Sequence, residues 1–557
     1  MRPRTRQNAG IGVQGMIWSQ NYDPLGSAAL STVLAAAPLL VLLGGLAFFH
    51  LRAPVAALLG LAAALLVAVL GFGMPTGLAL HAAGYGAAYG LMPIGWIVLN
   101  IIFLYQLTEE RGQFSVLRDS IAGITADSRL QLLLIAFCFG AFFEGAAGFG
   151  TPVAVTGAML IGLGFTRLQA AGLSLIANTA PVAFGALGTP LVTLAGITDL
   201  PLQDLSATVG RMMTPFALIV PFWLLVAYCG WRRTLEVWPA VLVAGVTFSG
   251  TQLLISNLHG PWLTAIGAAL VSMLSLIAFL KVWRPRTTMR VNDSVPPTAI
   301  AHPPAALRKA WLPWVILMLV VFLWGLPAMK AMLDGVFRLV LPVPGLDQFI
   351  QRLPPVVAKP EVERALYNFN LLSATGTAIL LSGVLAGLLL GARPREILAT
   401  YWRAFLATRA SLLTIAAMLA LGYLTRYAGV DATLGLAFAA TGAMYPFFGT
   451  LLGWLGVAVT GSDTASNVLF GGLQKVTSQQ LGLSPTLMAA ANSAGGVMGK
   501  MVDAQSIVVA STATRWFGEE GRILRYVFVH SIVLAALVGM VVMLMAYVPP
   551  FTWLVPG

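Results

Sequence analysis

The sequence predicts an all-α, polytopic membrane protein of about 12 to 14 membrane passes or half-passes. Apolar runs of about 20 residues recur along the chain, each long enough to span a bilayer as a helix. Of 557 residues, 58% are apolar and 9% charged, whereas a soluble domain carries about 25% charged residues. The mean hydropathy is +0.86. The sequence shows none of the short alternating strands from which a transmembrane barrel is built.

The runs cover 28–49, 53–73, 85–107, 130–165, 170–194, 215–229, 238–258, 262–282, 311–326, 371–391, 411–427, 434–460, 486–510 and 523–547. The runs 130–165, 170–194 and 486–510 read as interrupted, and 434–460 as more than one element. Trp238, Trp262, Trp311, Trp314 and Tyr547 lie near run ends, as interfacial anchors do. The first run is too long for the core of a cleavable signal, so 1–25 reads as a polar leader. The segment 26–282 reads as a first membrane half and 283–310, rich in Pro and Arg, as a connecting loop. The segment 311–557 reads as a second half. Within it, 330–370 is proline-rich and is expected to be an extracytoplasmic loop with short surface helices.

The formal net charge is +12. Its carriers Arg232, Arg233, Lys281, Arg284, Arg286 and Arg290 sit in short loops. That is the usual mark of cytoplasmic loops, so no nucleic-acid partner is expected; guidance of an anionic substrate is the lesser alternative. Placing the loops at 109–129 and around Arg232 in the cytoplasm puts the N-terminus outside, against the sense of Arg2, Arg4 and Arg6. Cys138 and Cys229 lie in apolar runs and make no disulfide framework. The five histidines have no metal spacing, and no nucleophile or metal motif is present. Neither enzyme, metal site nor cofactor is expected.

Four segments interrupt the apolar runs with Gly, Pro, Asn, Ser, Thr and acidic residues. They are 142–152 (Phe-Phe-Glu-Gly-Ala-Ala-Gly-Phe-Gly-Thr-Pro), 177–190, 460–467 (Thr-Gly-Ser-Asp-Thr-Ala-Ser-Asn) and 491–500. They come in two pairs. Ala177-Asn178-Thr179-Ala180 echoes Ala491-Asn492-Ser493-Ala494, and about 30 residues upstream of each stands an acid, Glu144 or Asp463. Paired broken helices of this kind mark an internal repeat with its ligand site at the repeat interface. Gly and Pro interrupt the helical ladder and free backbone N–H groups; at a half-helix N-terminus these suit a carboxylate. Tight helix packing is the competing explanation for the glycines alone, but it leaves the acids and paired asparagines unexplained.

Glu144 is the strongest single signal, because a carboxylate at membrane depth costs about 2.5 to 3.5 kcal/mol. Desolvation disfavours its charged form and fits it to carry a proton; a structural acid bonded to backbone N–H is the alternative for Glu144 and for Asp463. Lys500 is equally a substrate cation or the helical partner of Asp503. His81 and Arg426 fall near run ends and read as interfacial.

With these residues in view, the chain resembles the L-lactate permease family from about Met16 onward. The most specific stretches are 143–150 (Phe-Glu-Gly-Ala-Ala-Gly-Phe-Gly), 178–185 (Asn-Thr-Ala-Pro-Val-Ala-Phe-Gly), 460–464 and Gly499-Lys500-Met501. Weaker ones are 20–24, 353–357 and 373–377. The resemblance implies proton-driven uptake of L-lactate, with D-lactate and glycolate, across the bacterial inner membrane. It also implies a start near Met16. A more distant likeness to anion symporters implies two inverted repeats, re-entrant hairpins and an elevator motion of a transport domain against a scaffold. After Lys500 the family commonly reads Met-Ile-Ser-Pro-Gln-Ser; here Val502, Asp503 and Ala504 depart from it, which changes the charge of that site.

The sites expected are therefore Glu144 and Asp463 for proton coupling. Gly145, Gly148, Gly150, Asn178, Thr179, Ser462, Thr464, Asn467, Asn492, Ser493, Lys500 and Gln505 are expected to contact substrate. Lactate and related 2-hydroxy monocarboxylates, a proton and the lipid bilayer are the expected partners, and an oligomer is compatible. A channel, and a sodium-coupled carrier of other small mono- or dicarboxylates, are the alternatives.

Overall fold

The computed structural model describes residues 17–47, 49, 51–146, 148, 151–291, 302–357, 359–516 and 519–556. Among these, nine helices are long and apolar enough to cross a bilayer, and two sharply bent pairs raise the number to eleven. The 12 to 14 expected counted half-passes as well as full passes. Shorter apolar helical stretches lie at 28–42, 152–162 and 375–389.

The first described element is a short strand, β1 (Trp18–Ser19), followed by α1 (Ala28–Ala47) and α2 (Ala53–Leu66). Pro54 suits the start of α2, where a backbone N–H has no helical acceptor. α3 (Thr76–Tyr89) and α4 (Trp96–Glu110) are joined by a π turn that holds Pro93. A proline there removes one ladder donor, and the widened turn absorbs the loss. α5 (Gln113–Ala122) is short.

α6 (Ser128–Leu132) runs through a π turn into α7 (Gly140–Ala146). Every residue of this span is buried, so it sees protein rather than lipid. α8 (Thr151–Gly162), α9 (Arg167–Ala177) and α10 (Gly185–Thr198) follow. α9 starts on a capping box, the side chains of Thr166 and Gln169 each serving the other's backbone N–H. α11 (Leu202–Leu235), α12 (Trp238–Leu258) and α13 (Thr264–Val282) are long spans packed in sequence.

α14 (Pro304–Gly325) begins inside the segment expected to be connecting loop, and α15 (Pro327–Val336) follows it. The remainder of 330–370 forms strands rather than surface helices: β2 (Leu339–Pro342), β3 (Ile350–Arg352), β4 (Glu361–Val362) and β5 (Leu366–Phe369). Pro342, Pro344, Pro354, Pro355 and Pro360 deny a helix its donors. β2 pairs antiparallel with β5, and β3 with β4, while β1 joins β3 in parallel, Trp18 opposite Ile350. The start of the described chain is thus stitched to this lobe.

α16 (Thr375–Leu389) and α17 (Pro394–Ala428) precede α18 (Val430–Ala439), α19 (Tyr445–Thr460), α20 (Asp463–Gln480), α21 (Pro485–Gly499), α22 (Ala504–Ala513) and α23 (Glu520–Tyr547). The runs expected to be interrupted are interrupted. α9 and α10 meet at 63°, and the run from 430 to 458 bends by 112°. α17 packs on α2, α3 and α4, and α4 on α16, which in turn meets α14. A second group forms where α10 lies on α20, α7 on α10 and α13, and α21 between α19, α20 and α23.

At one end of the array the basic loops gather around the fully buried Arg129. Its guanidinium donates to the carboxylates of Asp127 (2.7 Å) and Glu236 (2.7 Å) and to the carbonyls of Arg233 and Thr287. The β lobe occupies the other end, where Gln20 donates to the carbonyl of Tyr427 at the close of α17.

Candidate functional site

Four chain breaks converge between the two helix groups. After α7, Gly148 takes a left-handed φ of 58°. After α9 the chain turns through 178–184, and Ala186, Leu187 and Gly188 all have positive φ. For the two non-glycine residues this costs about 1–2 kcal/mol each. The Thr189 hydroxyl closes this turn onto the carbonyl of Ala186 at 2.6 Å. Between α19 and α20, Gly461 (φ 72°) leads into Ser462, whose hydroxyl caps α20 by accepting from the backbone N–H of Ala465. Between α21 and α22, Asp503 caps α22 by accepting from the N–H of Ser506 at 2.7 Å.

These ends enclose a polar cavity of about 250 Å³. Glu144, Gly148, Gly185, Ala186, Thr189, Ser462, Asp463, Thr464, Lys500, Gln505 and Ser506 line it, with Ser411 of α17 facing them. Ser411 stands midway along α17, seventeen residues from each end. At about 1.5 Å per residue the cavity therefore lies deep between the two faces of the array.

Two acids mark the cavity. Glu144 Oε2 accepts from Asn178 Nδ2 at 3.0 Å. Its Oε1 faces Gly185, where an added Cβ would stand 2.6 Å away, so the carboxylate reaches the chamber only because no side chain is there. Asp463 sits in the first turn of α20, where the helix dipole favours negative charge. Its Oδ2 accepts from Ser493 Oγ at 2.6 Å, and its buried Oδ1 has no hydrogen-bond partner among the described residues. Lys500 Nζ donates to the carbonyl of Gly461 at 2.6 Å and lies 3.5 Å from Asp503 Oδ2. It is near enough for its charge to act on both Glu144 and Asp463. Lys500 is thus an ion-pair partner of Asp503 across the turn between α21 and α22, not along one helix, and a cation on the chamber wall at once.

Of the residues expected from sequence, Glu144, Gly148, Ser462, Asp463, Thr464, Lys500 and Gln505 reach the chamber. Asn178 and Ser493 stand behind it and orient the two acids. Asn492 donates to Asn467 Oδ1 at 3.0 Å, and Asn467 to the carbonyl of Pro190 at 3.2 Å, tying α21 to α20 and α20 to α10. Thr179 is buried and bonds back to the carbonyl of Ile176. Gly145 serves packing: an added Cβ would stand 2.8 Å from Ile266 of α13. Gly150 lies outside the described residues. The echo of Asn178 and Asn492 also falls differently in the two halves. Asn178 caps the end of α9, whereas Asn492 lies inside α21.

Sequence reasoning missed Ser411 and Ser506, and quoted Thr189 only as part of a broken segment. Ser411 has no sequence signal, since a lone serine in an apolar helix commonly bonds its own backbone.

Residues 31–549 match the family model described as L-lactate permease. The chain is 44% identical to the glycolate permease GlcA of Escherichia coli, over 95% of this chain and 98% of that one. It is 42% identical to the L-lactate permease of the same species, over 97% and 100%. The solved YdaH transporter of Alcanivorax borkumensis is similar at a TM-score of 0.45 and 15% identity, covering 84% of this chain and 87% of that one. A multi-pass inner-membrane transporter, not an enzyme, fits both the match and the helical array: the chain belongs to the L-lactate permease family.

Proposed function

We propose that this protein takes up lactate, with glycolate as a second substrate, by symport with at least one proton. The observation that carries the reading is the joint presence of Glu144, Asp463 and Lys500 on one deep chamber. Glu144 and Asp463, with both ionised, set two negative charges on the chamber wall against the one positive charge of Lys500, and an entering carboxylate would add a third negative charge. Like charges crowded in a desolvated site disfavour joint ionisation, so a substrate anion and a proton are expected to enter together. The N-termini of α20 and α22 and the hydroxyls of Ser462, Thr464 and Ser411 are suited to the carboxylate and the 2-hydroxyl. The names of the two Escherichia coli relatives support both substrates.

In this reading α7–α10 and α19–α22 form the transport domain, one set from each half of the chain, in inverted orientation. They move as an elevator against a scaffold that includes α17. The face gathered at Arg129 is cytoplasmic by its basic loops, and the β lobe faces outward. The test is reconstitution in vesicles. An imposed inward proton gradient should concentrate labelled lactate with no sodium present, and glycolate should compete while succinate does not. Accumulation that needs sodium, or equilibration without accumulation, would overturn the reading.

A further inference from the structure

The polar chamber is open on the side toward α17. Thr189, Ser411, Ser462, Thr464 and Gln505 line it and also line a second cavity of about 150 Å³. Beyond that shared rim the second cavity is walled by the buried Leu42, Ile415, Met418, Leu419 and Val468, with Ala465 and the hydroxyl-bearing Thr414 and Thr460 among them. The apolar wall is built from α1, α17 and α20. An apolar protein cavity of about 150 Å³ accepts benzene; here that volume includes the shared polar rim, so the mainly apolar part, an annex, has room for an alkyl group of about four carbons at most. Glycolate has nothing to place there and lactate one methyl.

We propose that the annex receives the alkyl group of 2-hydroxy acids longer than lactate. The class of acids bound then extends to 2-hydroxybutyrate and to branched acids such as 2-hydroxy-4-methylpentanoate. This rests on the 2-hydroxy-acid reading above. The carboxylate and hydroxyl stay at the polar rim, where hydroxyls and the Gln505 amide offer hydrogen bonds, and the alkyl chain leaves water for the apolar wall. Burial of one methylene is worth about 0.8 kcal/mol, which is about fourfold in affinity.

The experiment is inhibition of labelled glycolate uptake in vesicles by glycolate, lactate, 2-hydroxybutyrate and 2-hydroxy-4-methylpentanoate. Each added carbon should lower the half-inhibiting concentration by about fourfold until the annex is full. Ile415→Phe and Met418→Phe fill the annex from α17; each should keep glycolate uptake within twofold and remove the advantage of the longer acids. Leu42→Ala enlarges the annex from α1 and should shift the optimum to a longer chain. Normal glycolate uptake with a flat inhibition series in the unaltered protein overturns the annex alone, as does an advantage that survives both filling substitutions. Failure of the unaltered protein to take up glycolate or lactate overturns the 2-hydroxy-acid reading, and the annex with it.

Discussion

Asn178 holds Glu144 through a single amide–carboxyl hydrogen bond of 3.0 Å, and both groups are buried. The second half of the chain does the same with a different donor, Ser493 on Asp463 at 2.6 Å. In each half one acid oxygen is fixed and the other is turned away from that donor, toward Gly185 for Glu144 and toward Gly496 for Asp463. A carboxyl held on one oxygen keeps its position whether or not it is protonated, which suits a proton carrier.

Glu144→Gln tests that role. The amide keeps an oxygen for Asn178 and cannot release a proton. Accumulation of lactate under a proton gradient should fall at least tenfold, while exchange of labelled for unlabelled lactate persists. Variant vesicles that still concentrate lactate would remove Glu144 from the proton path.

Lys500 and Asp503 invite a double-mutant cycle. Both side chains are buried, and removing one partner of a buried pair leaves an uncompensated charge, at about 3–5 kcal/mol. Lys500→Met alone should therefore lower the melting temperature sharply. Lys500→Met with Asp503→Leu should recover most of that loss but not lactate affinity, because the chamber's cation is still gone. Thermal unfolding in detergent and the KM for lactate separate the two effects. Recovery of the KM in the double variant would reduce Lys500 to a structural partner.

The interrupted runs were legible because Gly and Pro punctuate them, and Glu144 because an acid in an apolar run is costly. The roles of Asn178 and Asn492 were not legible. Their partners, Glu144 and Asn467, lie 34 and 25 residues away and meet them only through the packing of separate helices. Ser411 was hidden for the opposite reason: its helix is unbroken, and its position matters only because four breaks in other segments face it. The strands of the β lobe are two to four residues long, too short for an alternating pattern to register.

Two glycines should respond oppositely to alanine. On α19, a Cβ at Gly453 would overlap the backbone carbonyl of Asn492 on α21. Backbone there cannot yield as a side chain can, so Gly453→Ala should destabilise by about 1–3 kcal/mol. Gly84 of α3 has open space around it, and Gly84→Ala should stabilise by about 0.5–1 kcal/mol through lost chain entropy. Melting temperatures in one detergent check both. Equal shifts would mean that α19 and α21 do not pack this closely.

The proposed elevator motion predicts a lock. Arg426 at the end of α17 donates to the carboxylate of Asp199 just past α10, and to the carbonyl of Ile197 at 3.2 Å. α17 belongs to the proposed scaffold and α10 to the proposed moving group, so this contact must break in each cycle. Arg426→Cys with Asp199→Cys, in a Cys229→Ser background, allows the two elements to be bridged by a short bis-methanethiosulfonate. Cys138 is buried and can stay. Bridging should stop lactate uptake, and a reducing agent should restore it. Each single cysteine variant treated in the same way should keep the uptake rate it had before treatment. Full uptake by protein shown to be completely cross-linked would mean that α10 and α17 do not separate during transport.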